Sequence, residues 1–394
     1  MNPWKGLNKL SWNVWIISIT SLINRAGMMV LPFLALYMTS EMGVTAAEAG
    51  TVLLAFGLGS LISAPFAGKL SDKIGSLLLM KISLIVSGIF LFFYSLVHDY
   101  YYFIALTFVW AIISEAFRPA SMSFISNEAG VDERKTSFAL YRLAINLGMS
   151  FGPVLGGILS TVDFSLLFYV DGATSIIAGL FLIFSRIKLT EQKELPAEQE
   201  QVSPTKKFSF LPDERFLIFL LAMLPSSMIY MQHIGAMPLF IVHDLGYTTA
   251  TFGILTAINT VMIIFIELPL NNSMKHWSNW KAMFWGAVLT AIGFGAMAFT
   301  ETISALVITI IIWTFGEMIL FPATAALAAE ISPQNKRGAY MGFYQMTFAL
   351  SFTVGPWFGT LIYGSYGAAV LWSGVLIFGL LSALMMLTIK KKFN

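Results

Sequence analysis

The sequence predicts an all-α membrane protein of twelve spanning helices arranged as two related six-helix halves. Three observations predict it. Of 394 residues, 57% are hydrophobic and only 11% charged, against about 25% charged in soluble domains. The mean hydropathy is +0.77, and the apolar residues fall into runs of the roughly 20 residues that cross a bilayer. Third, the chain contains its own landmarks twice at a constant spacing of 203 positions: Pro119 and Pro322, Arg134 and Arg337, Gly152-Pro153 and Gly355-Pro356, Gly156 and Gly359. Gly43 and Gly246, Gly50 and Gly253, and Tyr141 and Tyr344 keep the same spacing. Internal repeats of this size in an apolar chain are typical of secondary transporters.

Taken in order, the first half holds predicted spans over 13–38, 49–69, 77–97, 101–124, 137–160 and 165–186. The short start, ending in Ser11-Trp12, leads straight into the first run with no small-residue cleavage site, which predicts a retained helix rather than a signal peptide. Asn24 and Arg25 sit midway along that span. The second is followed by Gly68, Leu70, Asp72, Lys73 and Gly75, which reads as a charged turn. The fourth carries Glu115 and Arg118, three apart and so on one helix face. The fifth carries Arg142 and a small-residue stripe of Gly148, Gly152, Gly156 and Gly157 around Pro153, suited to close backbone approach. The sixth contains Asp171.

Residues 187–214 are polar, carry both signs and include Pro196 and Pro204, as a linker does. The chain therefore divides into 1–186, a linker over 187–214, and 215–394. The second half holds spans over 215–241, 249–270, 281–299, 303–328, 338–361 and 368–389. Tyr230, Met231, Gln232 and His233 lie on the seventh span. Glu267 lies near the end of the eighth, where it is expected to reach water. Glu317 lies on the tenth, with Trp313 one turn before it and Phe321 one turn after. The eleventh repeats the stripe as Gly355, Pro356 and Gly359, with Thr360 in place of a last glycine.

All but three of the 23 Lys and Arg fall in the termini, the linker with its edges, and alternate turns. The other turns carry only acids, such as Glu41, Asp99, Asp163, Asp244 and Glu301. By the positive-inside rule both termini and the linker are cytoplasmic, in a multi-pass protein of the cell membrane. The three exceptions, Arg25, Arg118 and Arg142, lie inside predicted spans.

Two motifs carry a family resemblance. Gly68-x-Leu70-x-Asp72-Lys73-x-Gly75 resembles the loop signature of the major facilitator superfamily, with Ser76 and Leu77 where that signature closes on two basic residues. Gly148, Gly152, Pro153, Gly156 and Gly157 resemble the antiporter motif of drug:proton antiporters in the same superfamily. The resemblance covers essentially the whole chain. It implies the major facilitator fold of two pseudo-symmetric bundles, with spans 1, 4, 7 and 10 lining a central cavity. It also implies that Gly68, Asp72, Lys73 and Gly75, with the fifth-span stripe, take part in conformational gating. Asp72 is then expected against the N-terminus of a helix of the other half, the eleventh span, where the helix dipole favours an acid.

A charge at a membrane helix centre costs about 2.5–3.5 kcal/mol on insertion scales, so such residues face protein or a water-filled cavity. Glu115 and Glu317 are the candidate proton carriers, with Asp171 the next. Desolvation favours a neutral carboxyl and a nearby arginine a charged one, so moving between the two surroundings would load and release a proton. The plain alternative is a structural ion pair of Glu115 with Arg118 or Arg142. Asn24, Arg25, Arg118, Arg142, Tyr230, Gln232 and Trp313 are the candidate cavity residues. Aromatic and Met side chains nearby suit a pocket that repacks around varied apolar ligands.

The leading expectation is a proton-coupled antiporter exporting small amphipathic or hydrophobic compounds. The alternative is a proton symporter importing a small polar or anionic solute, which Arg25 and Arg118 would suit. An enzyme is disfavoured. The four histidines, His98, His233, His243 and His276, form no metal-binding spacing, there is no Gly-x-Ser-x-Gly nucleophile motif, and no cysteine. The expected partners are a small-molecule substrate, protons and the lipid bilayer, with no nucleic acid, metal or cofactor, and the protein is expected to work as a monomer.

Overall fold

Every long apolar run becomes helix, because a backbone in hydrocarbon must satisfy its own hydrogen bonds. The computed structural model describes residues 10–129, 133–185, 187, 213–333 and 337–393, and contains no strand among them. The predicted linker falls almost wholly outside the described residues. In the first half the helices are α1 (Trp12–Gly27), α2 (Val30–Ser40), α3 (Ala46–Ile74), α4 (Ser76–Tyr94), α5 (Tyr100–Ser114), α6 (Phe117–Glu128), α7 (Arg134–Ser160) and α8 (Ser165–Phe184). In the second they are α9 (Glu214–Tyr230), α10 (Ala236–Leu239), α11 (Thr249–Ser273), α12 (Asn279–Gly295), α13 (Ile303–Ile331), α14 (Arg337–Tyr366) and α15 (Ala368–Phe393).

Three of the predicted spans are broken. The first parts at Met28-Met29 and the fourth at Glu115-Ala116. The seventh passes from α9 through a 3-10 turn at Met231–His233 and α10 into a π turn at Phe240–Asp244. The breaks at Met28 and Met231 are again 203 positions apart. Counting the broken ones as single crossings, eleven segments among the described residues are long and apolar enough to cross a membrane. The remaining helix, α14, spans 30 residues at the place predicted for the eleventh span, and its middle carries Gln345, Thr347, Ser351 and Thr353.

The predicted turn after the second span is mostly helix. Residues 68–74 continue α3, since none of them interrupts a hydrogen-bonded ladder, and the helix stops only at Gly75 with φ 87°. A left-handed backbone is where glycine costs nothing. Helix α3 starts on a capping box in which Thr45 and Glu48 each bond the other's backbone N–H.

The repeat extends to hydrogen bonds. Tyr141 bonds Ser121 through their hydroxyls at 2.5 Å, and Tyr344 bonds Thr324 at 3.0 Å, each partner 203 positions on. The two halves meet along three seams, α3 with α14, α7 with α11, and α2 with α10. Each of the first two seams brings a glycine close to the backbone of the other half. Gly253 of α11 lies on the Pro153 carbonyl of α7, and Gly50 of α3 lies on Trp357 and Thr360 of α14.

Away from the chain termini a single apolar core runs through both halves, including Phe33, Phe56, Phe240, Phe252, Trp313 and Trp372. Phe33 packs edge-on against Phe252 at 5.3 Å and Phe56 against Phe352 at 5.8 Å. At the termini end each half keeps its own core, around Ile17, Leu84 and Tyr141 in one and Phe219, Met283 and Tyr344 in the other. The shared core thus lies away from the termini, and the separate cores lie toward them.

Candidate functional site

Two clefts hold interior acids, one among first-half helices and one among second-half helices with Arg142 of α7 at its edge. The second-half cleft encloses about 190 Å³ and is lined by Arg142, Glu267 and Glu317 among Ile263, Met318, Phe321, Pro322 and Ala325. Helix α13 places Glu317 midway along its length. The Tyr230 hydroxyl, at the last residue of α9, donates to Glu317 Oε1 at 2.9 Å. Asn259 Nδ2, on α11, donates to Oε2 at 2.7 Å and also bonds Thr314 Oγ1 at 3.1 Å. Both partners are neutral, so the carboxylate has donors but no direct counter-charge. Arg142 Nη2 instead bonds Glu267 Oε1 at 2.8 Å, the one ion pair among the described residues and one that crosses between the halves. Glu267 therefore does not simply reach water.

Neither Asn259 nor the role of Glu267 was among the sequence expectations. The available signal was Asn259 itself, an amide inside the apolar stretch of α11, where an unpaired polar group is costly.

Trp313 and Gln232 do not line this cleft. Trp313 is 1% exposed and stacks on Phe294 at 4.9 Å within the shared core. Gln232 is buried at the break after α9, where its Nε2 donates to the Gly355 carbonyl at 2.7 Å and the Met228 carbonyl at 3.2 Å. It ties the broken span to α14. Tyr230 is half-buried, with its ring edge-on to Phe321 at 5.0 Å.

The first-half cleft gathers Asn24, Arg25, Trp110, Glu115, Asp171 and Ser175. Asn24 Nδ2 donates to Ser175 Oγ at 3.1 Å, and Arg25 Nη1 contacts the Met28 sulfur at 2.7 Å. Glu115 and Arg118 make no side-chain hydrogen bond or ion pair among the described residues. The same-face pairing expected of them does not form, because the helix breaks at Glu115-Ala116 and Arg118 is exposed.

Asp171 is buried, and its Oδ2 accepts from the backbone N–H groups of Met29 and Val30, both at 3.2 Å. These donors open α2, so Asp171 caps the second part of the broken first span from a neighbouring helix. Replacing it separates a capping role from proton transfer. Asp171→Ala leaves both donors without an acceptor and is expected to cost about 1–3 kcal/mol, seen as a lower melting temperature. Asp171→Asn keeps an acceptor oxygen and is expected to retain most of both stability and proton-driven transport. Abolished coupling in a stable Asp171→Asn protein would make Asp171 a proton carrier instead.

The fifth-span stripe serves two seams. A Cβ at Gly148, Gly152 or Gly156 would lie 2.8 Å from the Leu22 carbonyl, the Met28 carbonyl or Met29 Cβ respectively, so this face of α7 seats against the break in the first span. Gly157 faces the other half, where a Cβ would lie 2.6 Å from the Thr249 carbonyl of α11. Thr249 Oγ1 donates to the Gly157 carbonyl across that seam at 3.1 Å. At the end of α3, Asp72, Lys73 and Gly75 are exposed, and a side chain at Gly68 would meet nothing within 4 Å. Asp72 makes no hydrogen bond or ion pair among the described residues. The expected contact with the start of the eleventh span falls on side chains at 337–339 that lie outside the described residues.

The sequence profile of the family described as Major Facilitator Superfamily matches residues 14–266 and 216–392. The chain is 25% identical to the uncharacterized MFS-type transporter YqjV of Bacillus subtilis (strain 168), over 98% of this chain and 93% of that protein. It is 22% identical to a Na(+), Li(+), K(+)/H(+) antiporter of Planococcus maritimus, over 89% of this chain and 92% of the other. Among solved structures, the nucleoside transporter NupG (D323A mutant) superimposes with a TM-score of 0.78 at 16% identity, covering 97% of this chain and all of the other.

Proposed function

The chain belongs to the Major Facilitator Superfamily, a family of membrane transporters rather than enzymes, and from that premise we propose that it is a proton-coupled antiporter. It exports small amphipathic or hydrophobic compounds by alternating access between the two halves, with all twelve helical segments crossing the membrane. Both termini and the 187–214 linker face the cytoplasm, and cargo loads from that side. Glu317 carries this reading. Its carboxylate sits between helices of the second half with only neutral donors, Tyr230 and Asn259, and faces a cleft walled by Phe321, Met318 and Pro322. Losing a proton there creates a charge that no adjacent cation balances directly, so proton and cargo occupancy are coupled, and by linkage each affects the other equally. Exchange against protons is also what the name of the Planococcus maritimus relative records. Glu115, in the first-half cleft, is the second candidate carrier.

The test is transport by purified protein in proteoliposomes under an imposed pH gradient. Antiport predicts solute movement opposite to the proton flux, abolished by an uncoupler. Movement in the same direction as protons would make the protein a symporter, and indifference to the gradient would remove proton coupling.

A further inference from the structure

Helices α4 and α12 start 203 positions apart and expose the same row of side chains. In α4 the row is Leu78, Ile82 and Ile89, all apolar and all exposed. In α12 it is Lys281, Trp285 and Ile292, again exposed and spaced to share one helix face. Ile292 keeps the aliphatic character of its counterpart, whereas the two positions nearer the helix start become a cation and a ring. In the turn before α12, Trp277 stands where the first half has Ile74, and Lys275 where it has Asp72. The first half builds the equivalent helix with aliphatic side chains at three of these positions, so the fold alone does not call for the cation and the rings.

Lys281 Nζ lies 4.2 Å from the centre of the Trp277 ring, and the ring face attracts the ammonium. Neither Lys281 nor Lys275 forms an ion pair among the described residues. Glu330 instead accepts from Asn279 Nδ2 at 2.8 Å. We propose that this face of α12 binds an anionic phospholipid. Its headgroup phosphate meets Lys275 and Lys281, its glycerol region lies against Trp277 and Trp285, and an acyl chain runs along Ile292. The shape of the face selects a lipid over free phosphate or a soluble acidic peptide. From Lys281 to Ile292 the helix rises about 16 Å, half of the roughly 30 Å hydrocarbon thickness. Charge therefore sits at one end of the span Asn279–Phe299, and apolar surface continues toward the bilayer midplane. Tryptophan is favoured at the boundary between the two, and lysines just outside it attract anionic headgroups.

Fluorescence quenching tests this in the full-length protein, reconstituted in phosphatidylcholine vesicles with a minor fraction of a lipid brominated on an acyl chain. That lipid is either phosphatidylglycerol or phosphatidylcholine. The quenching of wild type minus that of Trp277→Phe/Trp285→Phe isolates the two rings of the site. Brominated phosphatidylglycerol is expected to quench them at a lipid fraction about tenfold or more below that of brominated phosphatidylcholine, the preference that two lysines at a membrane surface supply. Lys275→Gln/Lys281→Gln is expected to erase the preference, and Lys275→Arg/Lys281→Arg to keep it. Lys81→Gln, on α4, is expected to leave it unchanged. Melting temperatures within a few degrees of wild type tie any loss to the charge. Equal quenching by the two lipids, a preference that survives Lys275→Gln/Lys281→Gln, or one lost equally in Lys81→Gln would each overturn the proposal. Displacement of the lipid by millimolar inorganic phosphate would also overturn it, since the site would then have no need of the acyl chain.

Discussion

Glu317→Gln is expected to reduce pH-gradient-driven transport to background, a loss of about 100-fold or more, while the protein folds and inserts normally. Glutamine matches the shape of the neutral acid and can still accept a hydrogen bond, so the contacts with Tyr230 and Asn259 are largely kept. What it cannot do is exchange a proton, and without that exchange the gradient has nothing to act on. Proteoliposomes with an internal pH indicator would show solute flux unresponsive to the gradient, alongside a melting temperature within a few degrees of wild type. The matching Glu115→Gln variant separates the two acids. Because Glu115 has no side-chain partner among the described residues, its replacement is expected to leave stability unchanged. If gradient-driven transport survives in both single variants and in the double variant, neither acid carries the proton.

The second large effect is expected at Gly253, where α11 meets α7. A Cβ there would overlap the Pro153 carbonyl and sit 3.3 Å from Val154 Cα, and both obstacles are backbone. Overpacking of a tight contact costs about 1–3 kcal/mol, which is roughly 5- to 150-fold in the balance between conformations. Gly253→Leu should therefore hold the far end apart and favour a state open to the other side. Each half should still fold, since the two cores at the termini end do not involve this seam. The native chain has no cysteine, so Thr249→Cys, placed at a buried position in the seam, reports opening by its labelling rate with a membrane-impermeant thiol reagent. Faster labelling and transport near background are expected. Gly374→Leu, where a side chain would meet nothing within 4 Å, is the control and should change neither. Slow labelling with normal transport in Gly253→Leu would show that the halves part along another seam.

The apolar runs and the duplicated landmarks were enough to read the all-helical architecture. The landmarks proved to be structural positions. Gly43 and Gly246 turn the chain at φ 66° and 70°, and Tyr141 and Tyr344 close equivalent hydrogen bonds. Glu317 was visible for an equally local reason, since an acid inside an apolar helix must face protein or water. These are properties of single segments or of one fixed spacing, and a linear chain displays them directly.

Partners were a different matter. Arg142 was weighed as a partner for Glu115 and instead reaches Glu267, 125 positions along the chain and in the other half. Glu115 and Arg118 have the spacing of a helical pair, but the break between α5 and α6 cancels the geometry. Asp171, a candidate proton carrier by sequence, places its carboxylate on the backbone at a break in a helix 141 positions away, a contact that no local pattern displays. Trp313 has cavity spacing relative to Glu317, yet its ring packs into the core shared by both halves. Hydropathy and periodicity determine which residues form a helix and how many helices there are, because backbone hydrogen bonding is satisfied within each segment. Which way each face turns depends on how the helices pack, and packing is decided by close approaches such as Gly253 on Pro153 and by buried donors that must find an acceptor, wherever in the chain that acceptor lies.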